Sequence, residues 1–327
     1  MKILHGTIEI AGQMGIMCKE FKKRGHIASG YNTFHSYLGY EDHIINVSAY
    51  EIQSIAHHIM NFYDVFHFHY NSSLHVDRSD LETLIHKNKK VLMHHWGNDV
   101  RFHDIAKAKN PFVNTEDSPP NDMITFRLKL NAAYIEHAIV QDYEVYEYVS
   151  PYYKHVHVVP IAIDLDKFTP ENAAVNNKKP LIVHAPTQPK FKGTNQIEEV
   201  IRQLKHNYDF DYMRIEKMNH HKAREFYQKA DIIIDQILCG SYGLLAVEGM
   251  ALGKPIVGYI REDLVNKFPP ELPIANANPN TLYEKLQCLL ENKDFRTELG
   301  LKGSQYAKEV HDKEVVASQL LGIYKQI

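Results

Sequence analysis

Cysteine is scarce in this sequence, with only Cys18, Cys239 and Cys288 among 327 residues. An odd number at wide spacing excludes a disulfide framework and a cysteine zinc cage, and it favours a reducing compartment. No apolar run approaches the roughly 18 to 20 residues that cross a membrane, and the first residues begin a strand without the features of a signal peptide. These absences predict a cytoplasmic protein.

The sequence also lacks an excess of positive charge. Its formal net charge is -3, from 37 basic and 40 acidic residues. This balance argues against a nucleic-acid partner, which would need a basic surface. The most basic stretch, residues 19–24, is expected to be a solvated helix face, and a weak contact with a membrane surface is the alternative.

Histidine, in contrast, is abundant, with 21 residues. The close pairs His67 and His69, and His94 and His95, suggest metal binding at first sight. Because alternate residues of a strand point to opposite faces, we expect only one histidine of each pair to face a given site. The sequence therefore predicts no metal site.

Strand-length apolar runs alternate with segments of helical period along the chain. This alternation indicates βαβ units and parallel sheets. A polar, proline-flanked stretch interrupts it, which predicts an α/β protein with two doubly wound, Rossmann-like domains at residues 1–165 and 181–310, joined by a linker at 166–180. Ligands of such sheets bind at the carboxyl ends of the strands, so we expect the substrates in a cleft between the domains.

Residues 231–260 are the most informative segment, because a buried strand runs into a turn at Gly240 and then into a helix. Ser241 is the expected N-cap of that helix. The first helical backbone N–H groups would form an anion site suited to a diphosphate: those of Tyr242, Gly243 and Leu244. Further along, Glu248 is placed to accept hydrogen bonds from ribose hydroxyls. The alternative is a plain helix N-terminus with a solvated glutamate.

A short lysine-containing loop precedes another predicted helix. Lys192 is followed by Gly193 and by helix-capping residues, so its ammonium group can reach a phosphate oxygen. Lys190 is the nearest second basic candidate. The alternative for each lysine is a solvated loop position.

In the first domain, the loop at residues 10–15 contains Gly12, where the backbone can approach a ligand. The loop lacks the full dinucleotide fingerprint, and no acidic residue ends the second strand, which disfavours a nicotinamide enzyme. The pair Asp164 and Asp166 mimics a metal-binding motif, but it is expected to be structural.

Four segments resemble, in order and spacing, motifs of the retaining GT-B glycosyltransferases of family 4: GNDVR at 97–101, VVPIAID at 158–164, HAP with KGT at 184–194, and GSYGLLAVEGMALGKPIV at 240–257. The resemblance implies a GT-B fold with a C-terminal helix, about residues 311–327, that returns to the first domain. It also implies a metal-independent hexosyltransferase without a cofactor, typical of polysaccharide biosynthesis.

The resemblance assigns Lys190, Lys192, Gly193 and residues 241–244 to the donor diphosphate, with Gly12 nearby, and Glu248 to the ribose. The family uses a first-domain histidine to position the sugar. The position at which the family usually carries this histidine is occupied by Trp96 in this sequence. His95 is therefore the first candidate for the catalytic histidine, and His94 is the second. Members of this family commonly carry two glutamates, and the position of the first one is Gly240 in this sequence. Because that glutamate usually contacts the hydroxyls of the donor sugar, the resemblance does not identify the sugar.

The function implied is transfer of a sugar from a nucleotide-diphosphate sugar to a hydroxyl of a glycan, a lipid-linked molecule or a small molecule. Two alternatives remain open at this stage. A nucleotide-sugar 2-epimerase would keep the fold but change the reaction. A non-catalytic subunit that binds a nucleotide sugar would account for the missing glutamate. The sequence does not predict the oligomeric state.

Overall fold

In the computed structural model, which describes residues 1–170, 179–268 and 272–327, the alternating pattern produces two parallel sheets. The described residues divide into two units. The first comprises Met1–His103, Asp117–Ala162 and Lys313–Ile327, and the second comprises Asp104–Glu116 and Ile163–Asp312. Most of the predicted linker, residues 171–178, lies outside the described residues.

The sheet of the first unit has seven strands in the order β3-β2-β1-β4-β5-β6-β7, and all neighbours are parallel. Its strands are β1 (Lys2–Thr7), β2 (Ile27–Asn32), β3 (Ile44–Asn46), β4 (Val65–His69), β5 (Lys90–His95), β6 (His137–Val140) and β7 (His155–Val158). The order reverses direction between β1 and β4. That switch point is where doubly wound sheets bind ligands.

Helices connect these strands: α1 (Gln13–Lys23), α2 (Ala49–Phe62), α3 (Ser79–His86), α4 (His103–Lys109), α5 (Asn121–Ala132) and α6 (Tyr143–Val149). The start of α2 is fixed by a capping box, in which Ser48 Oγ accepts from the Glu51 N–H and the Glu51 carboxylate accepts from the Ser48 N–H. Apart from His103, α4 belongs to the second unit.

The sheet of the second unit has five parallel strands in the order β12-β11-β10-β8-β9. They are β8 (Leu181–His184), β9 (Asp211–Arg214), β10 (Ile232–Ile234), β11 (Ile256–Gly258) and β12 (Ile274–Asn276). The switch point lies between β8 and β10. The short apolar strands β10 and β11 are fully buried, as expected for the centre of a parallel sheet.

The helices of this unit are α7 (Pro189–Lys192), α8 (Thr194–Leu204), α9 (His220–Lys229), α10 (Leu244–Ala251), α11 (Glu262–Val265), α12 (Leu282–Glu291) and α13 (Lys293–Tyr306). A π-helical turn, Ala307–His311, follows α13. The last helix, α14 (Lys313–Gln326), belongs to the first unit.

Helix α14 packs into the core of the first unit. Its Val316, Leu320 and Tyr324 lie in one buried cluster with Ile3 of β1 and Phe21 of α1. The predicted architecture of two doubly wound domains with a returning C-terminal helix is thus confirmed. Among the described helices, none is long and apolar enough to cross a bilayer.

Candidate functional site

A buried ion pair occupies the switch point of the second sheet. Lys192 ends α7, which follows β8, and Asp235 directly follows β10. The Lys192 Nζ lies 2.7 Å from Asp235 Oδ1, and the Asp235 side chain is completely buried. The alternative of a solvated lysine is therefore excluded at Lys192. Asp235 was not predicted from the sequence, because it lies within an apolar run and was assigned to the strand.

The same carboxylate also binds the start of α10. Asp235 Oδ2 accepts a hydrogen bond of 2.7 Å from the Gly243 N–H. Helix α10 begins at Leu244 with Gly243 as its N-cap, so the prediction of a helix starting at Tyr242 and capped by Ser241 was wrong. The Ser241 carbonyl instead accepts a hydrogen bond from Gln236 Nε2 at 2.6 Å, which links the turn to the end of β10. Asp235 thus joins the lysine and the helix N-terminus.

The side chain of Tyr242 makes a contact that the sequence did not predict. Its side chain is buried, and its hydroxyl lies 3.1 Å from His311 Nε2 at the end of the π-helical turn. This contact anchors the loop before α10 to the segment after α13. Tyr242 therefore fixes the position of the loop through its side chain.

Glu248 lies on the buried side of α10 and is only 4% exposed. Its Oε1 is 2.5 Å from Nε2 of His220, the first residue of α9. The alternative of a solvated glutamate is excluded by this burial. His220 had not been predicted, because nothing in the sequence indicates that the start of α9 lies beside α10.

Lys190 and Gly193, the other two predicted residues of the lysine loop, differ in their exposure to solvent. Lys190 is largely exposed and forms an ion pair of 2.8 Å with Glu116, and this contact lowers the pKa of Glu116. Gly193 has φ of +82°, and a Cβ atom there would lie 2.7 Å from Ile237 Cγ1. Glycine is therefore required on both conformational and steric grounds.

In the first unit, His95 is enclosed completely. Its Nδ1 lies 2.8 Å from Asp99 Oδ2, and its Nε2 lies 3.0 Å from the Tyr153 hydroxyl. Asp99 Oδ1 also accepts from the Trp96 N–H at 2.9 Å. Both ring nitrogens of His95 thus hold the loop after β5, which leaves neither of them for a substrate.

His94 differs from its neighbour. Its Nδ1 lies 3.1 Å from His67 Nε2, and its ring stacks on Trp96 with 3.9 Å between centroids. Its Nε2 is buried and has no hydrogen-bond partner. A buried polar atom without a partner is rare in native proteins. The geometry therefore favours His94, the second of the two predicted histidines.

Four histidines share one face of the first sheet: His5, His67, His69 and His94. The rings of His67 and His69 stack 4.6 Å apart at an interplanar angle of 4°. The expectation that only one of this pair faces a site was wrong, because residues two apart on a strand point to the same side. Burial lowers the pKa of His5 to about 3 and places the pKa values of the other three well below the usual value.

Among the described residues, two groups have donor atoms close enough to hold a metal ion. The ligand atoms of His5, His67 and His69 lie within 4.8 Å of one another, as do those of an exposed group containing Glu136, His137 and His155. Neutral imidazole is the form that binds metals. The expected absence of a metal stays a prediction.

The N-terminus of α1 is occupied by an internal carboxylate. Gly12, with φ of +81°, precedes α1. The two Glu9 carboxylate oxygens accept hydrogen bonds from the Met14 and Gly15 N–H groups at 3.2 and 3.0 Å. Burial raises the pKa of Glu9 to about 7, against the opposing effect of these hydrogen bonds. The first amides of α1, next to Gly12, therefore already bind an acidic side chain.

Glu9 predicts a pH dependence of stability. Because its pKa is about 7 in the folded state and about 4.5 when unfolded, the folded state binds the proton more tightly. Its contribution is fully present below pH 4.5 and is lost as the pH rises to 7, by about 3 kcal/mol. The lowered pKa values of the buried histidines act in the opposite direction in both proteins. Urea unfolding is therefore expected to show that Glu9→Gln gains stability relative to the wild type as the pH rises from 4.5 to 7. The same pH dependence of the unfolding free energy in both proteins would contradict the raised pKa of Glu9.

Comparisons with known proteins find glycosyltransferases among the relatives of this chain. No family model matches the chain. It is 33% identical over 92 residues to an uncharacterised glycosyltransferase of Methanocaldococcus jannaschii, covering 27% of this chain and 26% of that protein. It is 24% identical over 207 residues to the MMP alpha-(1->4)-mannosyltransferase of Mycolicibacterium hassiacum, covering 54% and 49%. The matched regions thus span between a quarter and a half of these relatives.

Solved structures are similar over the whole chain. Sucrose-phosphate synthase of Thermosynechococcus elongatus superposes with a TM-score of 0.67 at 14% identity, covering 100% of this chain and 99% of the other. HepE of Anabaena, in complex with UDP and glucose, gives 0.70 at 8% identity with full coverage of both. WaaG, a glycosyltransferase of lipopolysaccharide biosynthesis, gives 0.66 at 9%, covering 99% of both.

These similarities define the class of fold. Two parallel-sheet, Rossmann-like units with their helices match the GT-B architecture of glycosyltransferases. At such low identity the superpositions establish the fold alone.

Proposed function

We propose that this chain is a retaining glycosyltransferase that transfers a sugar from a nucleotide-diphosphate sugar to a hydroxyl acceptor. The observation that carries this proposal is the meeting of Lys192 and the N-terminus of α10 at the switch point of the second sheet. The GT-B fold and the glycosyltransferase relatives support it, and HepE binds UDP in its solved complex.

Lys192 is the proposed diphosphate ligand. An ammonium group has three N–H donors, and Asp235 accepts one of them, so the same group can bridge the carboxylate and a diphosphate. The leaving diphosphate gains negative charge as the glycosidic bond breaks, and an ammonium held in place stabilises that charge. Asp235 keeps the ammonium oriented before the donor binds.

His94 is the proposed sugar-positioning residue, in place of His95. Its unpartnered Nε2 lies at the carboxyl end of β5, where ligands of doubly wound sheets bind. In a retaining transfer the acceptor hydroxyl attacks on the face from which the diphosphate leaves, so no side chain is needed as nucleophile. A hexosyl donor, membership of family 4 and a cytoplasmic location belong to the same proposal.

The function is tested by a thermal-shift screen of nucleotide sugars, because a ligand that binds only the folded state raises its stability. The stabilising donor is then incubated with candidate acceptors, and the anomer of the product is determined by NMR. A product with the anomeric configuration of the donor is expected. Conversion of the donor into its epimer would favour an epimerase, and binding without turnover would favour a non-catalytic subunit.

Glu248 is the proposed ribose ligand, held in place by His220. Glu248→Gln is expected to weaken binding of both the donor and the free nucleoside diphosphate by roughly 1.5 to 3 kcal/mol, because it removes a charged hydrogen-bond acceptor. Calorimetry with the nucleoside diphosphate measures this loss. Glu225→Gln, on the neighbouring helix α9, is a control. Unchanged nucleotide affinity in a folded Glu248→Gln variant would remove this residue from the site.

The proposed reaction uses no metal ion, because the Lys192 ammonium group is assigned to neutralise the leaving diphosphate. Activity is therefore expected to survive EDTA in a steady-state assay. Complete loss of turnover that Mg²⁺ or Mn²⁺ restores would show that a cation carries this charge instead.

A further inference from the structure

The four histidines on the first sheet belong to one chain of hydrogen bonds that starts at Trp96. The Trp96 indole N–H donates to His69 Nδ1 at 3.2 Å. His69 Nε2 lies 3.0 Å from His5 Nδ1, and His5 Nε2 lies 3.4 Å from the hydroxyl of Tyr324 on α14. This first half links the loop after β5 to the C-terminal helix.

The second half returns to β5. The Tyr324 hydroxyl lies 2.5 Å from His67 Nδ1, and His67 Nε2 lies 3.1 Å from His94 Nδ1. The chain ends at His94 Nε2, which is buried without a partner. Every ring nitrogen of the four histidines except this last one is therefore used.

The direction of the chain follows from its first member. An indole can only donate, and a neutral imidazole has one donor and one acceptor nitrogen. His69 Nδ1 must therefore accept, so that its Nε2 carries the proton and donates to His5. The same step repeats through His5, the Tyr324 hydroxyl and His67. At the end, His94 Nδ1 accepts, and the proton of His94 lies on Nε2.

We infer that Trp96 and Tyr324 are positioning residues that fix His94 as the Nε2–H tautomer, so that it donates a hydrogen bond to a hydroxyl or ring oxygen of the bound sugar. The tautomer follows from the contacts alone, whereas the sugar as its acceptor rests on the proposed function.

Two further observations agree with this inference. Burial holds the pKa values of all four histidines below neutrality, so each ring is neutral at pH 7 and has a single proton to place. A buried donor without an acceptor also costs free energy, which a ligand recovers when it accepts the hydrogen bond. His94 is thus prepared to donate before the ligand arrives.

The tautomer is tested by long-range ¹H–¹⁵N NMR on protein labelled with ¹⁵N-histidine, without substrate, with the His94 signals assigned by their loss in His94→Gln. Wild-type His94 is expected as the Nε2–H tautomer. Tyr324→Phe removes the hydroxyl between His5 and His67, and Trp96→Phe keeps an aromatic ring but removes the indole N–H. Each variant is expected to give a mixture of tautomers at His94.

Tyr63→Phe is the matched control, because Tyr63 is a buried tyrosine of the same unit whose ring packs on Phe62 and Phe66. It is expected to leave the His94 tautomer unchanged. A wild-type His94 protonated on Nδ1, or one that neither Tyr324→Phe nor Trp96→Phe alters, would overturn the inference. So would stoichiometric zinc that is lost in His5→Ala, because a metal would occupy nitrogens that the chain needs.

A kinetic measurement tests whether the Nε2 proton of His94 positions the sugar. Tyr324→Phe is expected to lower kcat by about 3- to 10-fold, the effect of one hydrogen bond, while the affinity for the nucleoside diphosphate stays unchanged. An unchanged kcat together with a mixed tautomer would overturn the role in sugar positioning. The NMR experiment needs no substrate, so its failure concerns the hydrogen-bond chain, whereas a wild-type protein without any transferase activity contradicts the proposed function.

Discussion

Replacement of Lys192 by methionine is expected to lower the free energy of unfolding by about 3 to 5 kcal/mol, because it leaves the buried Asp235 carboxylate without its counter-charge. The double variant Lys192→Met with Asp235→Asn removes both charges and is expected to regain much of this stability. Urea unfolding of the two single variants, the double variant and the wild type measures the coupling between the two residues.

An exposed ion pair of the same unit is the control. Lys302 lies 2.6 Å from Glu298, and both side chains are more than half exposed. Lys302→Met is therefore expected to cost less than about 1 kcal/mol. A similar loss for Lys302→Met and Lys192→Met would contradict the role assigned to burial.

The double variant also separates stability from catalysis. If Lys192 binds the leaving diphosphate, turnover stays low even where stability has recovered, because the interaction that strengthens in the transition state is missing. This turnover is measured by steady-state kinetics with the donor identified in the ligand screen. Full turnover in the double variant would leave Lys192 with a structural role only.

The two adjacent histidines are expected to respond in opposite ways to alanine. His94→Ala is expected to lower turnover by about 10- to 100-fold through loss of sugar positioning, while nucleoside-diphosphate affinity stays nearly intact. His95→Ala is expected to destabilise the fold by about 3 kcal/mol, because Asp99 and Tyr153 both lose a buried partner. Kinetics, calorimetry and urea unfolding on both variants distinguish the two roles.

A stable His95→Ala variant without turnover, beside a fully active His94→Ala variant, would restore the first choice made from the sequence. If both variants keep full activity, neither histidine positions the sugar. The loop after β5 would then have only a structural function.

The architecture could be predicted because it depends on the pattern of apolar residues within short stretches of the sequence. The fully apolar run that contains β10 indicated a strand buried on both faces, and helical periods between such runs indicated parallel crossovers. Element boundaries were harder, as the start of α10 shows. The N–H of its N-cap, Gly243, is bound by the carboxylate of Asp235, which lies eight residues before Gly243 in the chain.

The site was predictable only in part, for a related reason. Lys192 and Glu248 were identified through motif resemblance, but their partners Asp235 and His220 come from other segments of the same unit. Such pairs form only when strands and helices become neighbours, and a single sequence does not show which ones do. The same holds for Tyr324, whose contact with His67 joins residues 257 positions apart.

The packing of α14 has a consequence for synthesis on the ribosome. The second unit consists of Asp104–Glu116 and Ile163–Asp312, so all of its residues are translated before residues 313–327. The first unit, in contrast, lacks Val316, Leu320 and Tyr324 of its core until the ribosome has made this last helix. We therefore expect the second unit to reach its native state first, although the first unit begins earlier in the chain. The apolar surface that α14 covers in the first unit would stay accessible to chaperones while residues 163–312 are being translated.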